Sequence, residues 1–394
     1  MSQRRKVAVV TSTRADYGLL RWPMRAIAAS ARLELQLIVT GTHLAPGFGM
    51  TQDEIERDGF TVDARIEMLL DSDSAAGTSH SMALALSGMA DVLERLAPDL
   101  VMVLGDRFEI LAVAAATLIA RRPLCHIAGG DVTEGAYDDA MRHAISKMAH
   151  LHFPTNEYSA RLLEQMGEAP HTVHCVGNPA LDAIAQVETL TRDEFFARVG
   201  LVPRARNILF TYHPVTLADE PGGAEIARVL AGLDLLGPEV GILVTGSNAD
   251  TGHGPIRRAI NEFVSSRAHV HYVESLGQML YFNALRRVDA VVGNSSSGLL
   301  EAPSFRVPTV NIGPRQDGRL RAASVRDCAP QADAIARAVA AAFASDCTAV
   351  VNPYGDGHAS VRIVAVLEGM DSPARLLHKK FHRIAAIDSS AGES

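Results

Sequence analysis

The sequence predicts an α/β fold: two Rossmann-like, doubly wound domains facing a cleft. Three observations carry that expectation, namely the length, a repeated alternation of short apolar runs with helical patterns, and a restart of the alternation near the middle. At 394 residues the chain is too long for one ordinary domain, since domains mostly hold roughly 100–200 residues. With 47% hydrophobic and 21% charged residues it can bury a large core and lacks the polar bias of a disordered chain.

The elements follow in order. Lys6–Thr11 is a β-branched run, Leu19–Ser30 has a helical composition, and Glu34–Thr40 is a second apolar run. Ser81–Leu96 has apolar residues at helical spacing, followed by a strand at Leu100–Leu104, a helix from about Ile110 to Ala120, a strand at Leu124–Ile127 and a helix at Met141–Ala149. Strand-then-helix repetition means parallel pairing, because each crossover returns the chain to the same end of the sheet. After Gly177-Asn178-Pro179 the pattern restarts, with strands at Asn207–Thr211, Gly241–Thr245, His269–Val273, Ala290–Val292 and Thr309–Ile312. Helices at Ile256–Ser265 and Ala332–Ala344 lie among and after them. The expected division is a first domain over 1–182, a second over 183–368, and a helix or tail over 369–394 that can pack back on the first domain. The end after about Ile387 is small and polar and is expected to fray.

Composition narrows the partners. The formal charge is 37 − 45 = −8, and a nucleic-acid binder wants a basic face instead. No apolar run reaches the roughly 18–20 residues that span a bilayer, and the start, Met1 to Lys6, leads straight into a strand. Cys125, Cys175, Cys328 and Cys347 lie far apart without a CxxC pair, so a reducing cytoplasm is the expected location. There is no GxGxxG after the first strand, no GxxxxGK[ST], no HExxH and no GxSxG. Neither a dinucleotide fingerprint nor a P-loop is present, and the pairs His150/His152 and His171/His174 lack the supporting pattern of a metal site. No metal or other cofactor is expected.

Ligands of open parallel sheets bind beyond the carboxyl ends of the strands, so the residues after each apolar run carry the function. Five such segments stand out. The first, 11–18, passes through Thr11, Ser12, Thr13 and Arg14 into a helix, where free N–H groups and a guanidinium can hold a phosphate; Asp16 as a helix cap beside an exposed Arg14 is the plainer alternative. In the second, Gly105 to Glu109, Asp106 either caps the next helix or forms with Arg107 a charged pair directed into the cleft. The third, His126 to His143, is the densest, with Asp131, Glu134, Asp138 and Asp139 close together on and after a glycine-containing loop. Crowded carboxylates push one another's pKa values apart, as acid/base chemistry requires. The alternatives are a solvated loop, a helix cap at Asp138 or Asp139, or an Asp138–Arg142 pair along the helix. The fourth is His213 at a strand end. The fifth runs Gly293 to Pro303, where Ser295 and Ser296 enter a helix and Glu301 can accept two ribose hydroxyls.

These motifs together resemble the UDP-N-acetylglucosamine 2-epimerases, and within them the hydrolysing branch that feeds sialic and legionaminic acid synthesis. The resemblance covers roughly Lys6 to Glu368 and rests on TSTRADYGLL at 11–20, TGTHL at 40–44, GDRFE at 105–109, the long stretch at 126–150, VGNPALD at 176–182, YHPVT at 212–216, GNSSSGLLEA at 293–302 and NIGPRQDGR at 311–319. It implies the GT-B architecture and a UDP-activated 2-acetamido sugar as substrate. UDP is then held by His213, Ser295, Ser296, Glu301 and Arg315, with Asn248 on the uridine side and Arg14 and Arg107 reaching the diphosphate; His43 is a further candidate. The implied chemistry is loss of the C2 proton with cleavage of the C1–O bond, addition of water to the resulting 2-acetamidoglycal, and reprotonation of C2 from the other face. The family's catalytic carboxylates match Asp106 and Asp138. Many hydrolysing members carry Glu where this chain has Ala128. Asp131, the nearest carboxylate, is the expected replacement, with Glu134 as the alternative, unless the sugar itself differs, for instance as a 4-acetamido-6-deoxy sugar. The family commonly forms dimers or tetramers.

Overall fold

The computed structural model describes residues 4–72, 74–133, 137–213, 222–246 and 253–383. Contacts divide the chain into two compact units, one formed by Met1–Ala183 with Tyr354–Ser394 and the other by Ile184–Pro353.

The first unit runs β1 (Arg5–Thr11), α1 (Arg14–Ala29), β2 (Leu33–Thr40), α2 (Gln52–Arg57), β3 (Ala64–Ile66), α3 (Ala75–Leu96), β4 (Leu100–Leu104), α4 (Phe108–Ile119), β5 (Leu124–Ile127), α5 (Tyr137–Met148), β6 (Leu151–Phe153) and α6 (Glu157–Gln165). Its sheet order is β3-β2-β1-β4-β5-β6, with every pairing parallel. Both faces are covered. Val7 and Val9 of β1 join Leu20, Met24 and Ile27 of α1 on one side. Ala8 and Val10 join Met89, Val113 and Ile145 on the other. That burial on both sides explains why the inner strands read as unbroken apolar runs.

The second unit runs α7 (Arg192–Val199), β7 (Arg206–Thr211), α8 (Gly222–Asp234), β8 (Val240–Thr245), α9 (His253–Ser265), β9 (Val270–Val273), α10 (Gly277–Arg287), β10 (Ala290–Gly293), α11 (Ser297–Leu300), β11 (Thr309–Ile312), β12 (Val325–Cys328) and α12 (Ala332–Phe343). The order β12-β11-β10-β7-β8-β9 repeats the scheme of the first sheet, and all pairings are again parallel. Ile208 and Phe210 pack there against Ile226 and Val229 of α8 and Ile335 and Val339 of α12.

The chain then returns to the first unit with α13 (Ala359–Gly369). The expected second domain ran on to 368, but the return comes at Tyr354. The cause is packing: Ala359, Ile363 and Leu367 belong to the core of the first sheet. Asp182 fixes the start of α13 by accepting from the amides of Ala359 (2.9 Å) and Ser360 (2.6 Å). Three strands were not anticipated, β3, β6 and β12, and each is an edge of its sheet. Edge strands are short and have one neighbour, so they need no long apolar run. The region after about Ile387 lies outside the described residues.

Candidate active site

In both sheets consecutive crossovers reverse direction between the two central strands, β1 and β4 in one, β7 and β10 in the other. Such a switch point leaves a crevice at the carboxyl ends where ligands bind. Of the five segments singled out in sequence, four leave these four strands.

At the end of β1 the chain enters α1 through a capping box. The Thr13 hydroxyl accepts from the Asp16 amide at 3.2 Å, while Asp16 accepts from the amides of Ser12 (2.9 Å) and Thr13 (3.1 Å). This satisfies helix-terminal N–H groups that would otherwise lack partners. Thr11 also donates to Asp16. His43 is fully buried beside it, with Nε2 3.0 Å from Thr11 Oγ1 and Nδ1 2.7 Å from Thr51 Oγ1. His43 therefore braces this turn. Arg14 is largely exposed and lies 3.4 Å from Glu54, so the plainer reading of this segment, a capping Asp16 beside an exposed Arg14, describes its geometry here.

After β4 a left-handed Gly105 (φ 81°) turns the chain and presents Asp106. The pair expected between Asp106 and Arg107 does not form. Asp106 instead pairs with Arg142 of α5, whereas Arg107 turns to the buried Glu109 at 2.9 Å. Although burial works against the charge, Glu109 holds the Arg107 guanidinium above its ordinary pKa, helped by Asp16 and Asp138. Arg142 is the functional candidate that sequence reasoning undervalued. Besides Asp106 it donates to the Asp131 carbonyl (2.9 Å) and the Thr133 hydroxyl (3.0 Å). Only the fold sets β4's end beside α5, so an Asp138–Arg142 pair was the natural guess from spacing.

Asp138 stands in the first turn of α5. Burial raises its carboxyl above the ordinary value, and the neighbouring Asp106 charge raises it further against the pull of Arg107 and Arg142. Asp138 thus feels the charge of Asp106 together with those of Arg107 and Arg142. Asp139 accepts from the Thr133 amide at 2.7 Å. His126, fully buried in β5, ties the group together: Nε2 lies 2.8 Å from the Gly105 carbonyl and Nδ1 3.1 Å from Ser146 of α5. Burial pushes this imidazole down to about 3, so it stays neutral.

Asp131, the expected replacement for the missing Glu, lies on the loop after β5. Its Oδ1 accepts from Ser159 (2.5 Å), Thr155 (3.3 Å) and Asn156 (3.4 Å) at the start of α6. That oxygen is engaged in holding a helix terminus. Ala128 itself has a left-handed backbone (φ 59°). Glu134 lies outside the described residues.

In the second unit His213, just past β7, is buried. Its amide donates to Asn294 Oδ1 (2.7 Å), and Asn294 Nδ2 donates back to the His213 carbonyl (2.8 Å). Gly293 (φ 136°) makes this junction possible, since a Cβ there would sit 1.9 Å from the Thr211 carbonyl oxygen. The Asn294 carbonyl accepts from Arg315 (3.2 Å) and Gln316 (2.9 Å), which brings Arg315 to the same strand end. Ser295 and Ser296 are partly exposed in the turn before the four-residue α11. Glu301 closes α11 and lines a cavity of about 330 Å³ with Thr245, Gln278, Tyr281 and Phe282. Burial raises the Glu301 carboxyl, against a hydrogen bond from Ser297. Tyr281 and the β9 end were not singled out in sequence, because α10 carries no motif. Asn248 lies outside the described residues, as do Pro214 to Thr216 of the His213 segment. Among the described residues no group of three or more His, Cys, Asp or Glu could hold a metal ion, and no helix is long and apolar enough to cross a membrane.

Two parallel sheets of one strand order, each with polar side chains gathered at its switch point, define a protein of the two-domain Rossmann-like class. A family model described as UDP-N-acetylglucosamine 2-epimerase matches residues 25–368, and the chain belongs to that family. It is 38% identical over 325 residues to the GDP/UDP-N,N'-diacetylbacillosamine 2-epimerase (hydrolyzing) of Campylobacter jejuni, covering 82% of this chain and 84% of the relative. It is 36% identical over 375 residues to the UDP-N,N'-diacetylbacillosamine 2-epimerase (hydrolyzing) of Legionella pneumophila, covering 95% and 98%. Its fold is similar to that of the Neisseria meningitidis UDP-GlcNAc 2-epimerase crystallised with UDP-GlcNAc, with a TM-score of 0.75 at 20% identity over 92% of this chain and 99% of that one.

Proposed function

We propose that this protein is a hydrolysing 2-epimerase of a UDP-activated 2-acetamido sugar, acting on a 2,4-diacetamido-6-deoxy hexose of the N,N'-diacetylbacillosamine kind. The names and coverage of the two relatives support the substrate class. The observation that carries the chemistry is the placement of Asp106 against Arg142 of α5, the helix whose first turn holds Asp138, a carboxyl raised by burial and by the Asp106 charge. In this reading Asp106, ion-paired with Arg142, is the base, and Asp138, raised by burial and by the Asp106 charge, is the acid.

In this reading the second unit holds UDP. Glu301 accepts ribose hydroxyls at the α11 cavity, and His213, Ser295, Ser296 and Arg315 meet the diphosphate. The first unit acts on the hexose. Asp106, paired with Arg142, is the carboxylate that takes the C2 proton as the C1–O bond breaks and its electron pair leaves with UDP. Arg107 stabilises the charge that develops on the leaving group. The C2 proton is weakly acidic, so close placement of the base supplies much of the rate. Water then bonds its hydroxyl to C1 of the glycal while protonated Asp138 delivers its proton to C2 from the opposite face; the proton left by that water reprotonates Asp138, and the proton taken up by Asp106 passes to solvent, which restores both carboxyls. The sum is UDP-sugar plus water giving UDP and the free manno-configured sugar, a precursor of the type condensed into nine-carbon acids. Asp131 serves as a brace between the loop after β5 and α6.

The assembly is a homodimer or homotetramer in this proposal. Supporting it, a groove along α3 and α4 exposes Leu86 and Ile119 and is lined also by Glu94 and Arg122, opposite charges that a second copy related by twofold symmetry can complement. Light scattering on the L86E variant tests that face: a lower mass supports it, and an unchanged mass removes it.

The functional reading is tested by chromatography of products from UDP-N,N'-diacetylbacillosamine. Equal amounts of UDP and a free 2-epimerised sugar are expected. A 2-epimer still bound to UDP would move the protein to the non-hydrolysing branch.

A further inference from the structure

At the end of α5 remote from Asp138, three cationic or imidazole side chains meet one buried carboxylate. Glu168, just past α6, has no solvent exposure. Its Oε1 lies 2.6 Å from Lys147 Nζ, and its Oε2 lies 2.9 Å from His152 Nε2 and 2.6 Å from Lys379 Nζ. Burial alone would raise this carboxyl, but the three donors bring it down to about 2. Lys379 comes from the segment after α13. Its ammonium also donates to the carbonyls of Lys147 (2.8 Å) and Ala149 (2.6 Å), the groups a helix leaves unsatisfied at its C-terminus. The same segment is pinned on either side of Lys379. Leu376 packs on the core of the first unit, the His382 amide donates to the Gly167 carbonyl at 2.8 Å, and Lys147 Nζ stands 5.0 Å from the Phe381 ring centre.

We propose that Lys379 is a positioning residue: the segment Pro373–Arg383 straps the C-terminal end of α5 in place, and thereby holds Arg142, midway along that helix, against Asp106 and sets the position of Asp138 in its first turn. The proposal rests on the reading of those carboxyls as the acid/base pair. A twelve-residue helix is a rod about 18 Å long, so its axial position is set wherever either end is fixed. The helix must keep Arg142 in its ion pair with Asp106 and Asp138 at its place in the first turn, and displacements near 1 Å at such groups cost rates on the order of 100-fold. Lys379 fixes the opposite end with three bonds from one atom, two to the helix and one to Glu168. Glu168 keeps Lys147 and His152 when Lys379 is removed, so the fold retains a compensated buried charge and survives the substitution.

The test uses the full chain with Lys379→Met and Lys379→Arg, assayed for UDP release from UDP-N,N'-diacetylbacillosamine and by hydrogen exchange across α5. Lys379→Met is expected to lower kcat by about tenfold or more, with KM within about twofold, and to speed amide exchange in α5. Lys379→Arg keeps the charge and is expected to recover most of kcat. Wild-type kcat in Lys379→Met overturns the proposal. So does a parallel loss of kcat, KM and thermal stability that Lys379→Arg does not restore, because that is the signature of a purely structural residue. If the unaltered protein releases no UDP, the functional reading fails separately, and α5 exchange unchanged by Lys379→Met then overturns the strap as well.

Discussion

Arg142→Met removes the guanidinium that Asp106 faces while keeping the side chain's apolar length. Arg142 is nearly buried, with 11% of its side chain exposed against 22% for Asp106, so the pair is poorly screened by solvent. A hydrogen bond to a charged group in such a place is worth about 1.5–3 kcal/mol, which corresponds to roughly 10- to 100-fold in rate if it is needed in the transition state. The sign of the pH effect is also fixed. Arg142 draws the Asp138 carboxyl down, against burial and Asp106, which raise it. Without Arg142 the Asp138 value rises further. If protonated Asp138 is the acid, activity is lost as pH rises through its value, so the alkaline limb of the kcat/KM profile must move to higher pH as the rate falls. UDP release measured across pH, with UDP affinity measured by calorimetry, separates the parts. Affinity should stay within about twofold, because the second unit holds the nucleotide in this account. A variant with kcat within threefold of wild type and an unmoved alkaline limb would refute the reasoning.

Other consequences are equally specific. Burial depresses His126 to about 3 and His150 to about 4 from an ordinary 6.5, and lowers His152 too; groups depressed in the fold lend stability above their unfolded value and lose it as pH falls. At pH 5 each of the first two should cost about 2 kcal/mol, so calorimetry should show Tm dropping steeply below about pH 6.5, and a flat Tm down to pH 5 would contradict these burials. Gly293→Ala places a Cβ 1.9 Å from the Thr211 carbonyl at a positive φ, and denaturant titration should show about 3 kcal/mol or more lost from the second unit; a loss under about 1 kcal/mol would show that the β7–β10 junction can relax. Glu301→Gln keeps the shape of the α11 cavity but removes the acceptor pair of a carboxylate, and UDP affinity should fall about tenfold by calorimetry. Unchanged affinity would take Glu301 out of the nucleotide site.

The two-sheet architecture was legible because inner strands of a doubly covered parallel sheet must be apolar along their whole length, and Leu100–Leu104, Leu124–Ile127 and Thr309–Ile312 appear with the bounds expected. Strands such as Ala64–Ile66 and Val325–Cys328 were not legible, since an edge strand can mix Arg65 or Asp327 into its run. Helix α1 begins at Arg14 and not at Leu19, because the Thr13–Asp16 capping box, a local signal, fixes its start. At the site, segments following β1, β4, β7 and β10 could be picked out because function concentrates at strand ends. Partner choice could not. Whether Arg142 meets Asp138 or Asp106, and whether Asp131 faces the carboxylate pair or Ser159, depends on how α5 and α6 pack beside β4, which no spacing within one helix encodes. Tyr281 beside Glu301 is a case of the same kind.

The central claim is that a carboxylate removes the proton at C2 and that another returns one there from solvent-exchanged stock. Proton NMR of the reaction in deuterium oxide tests it directly. The account predicts a free sugar in the manno configuration with one deuterium at C2 and UDP released in equal amount. Protium retained at C2 in the released sugar would contradict it, whatever the fold.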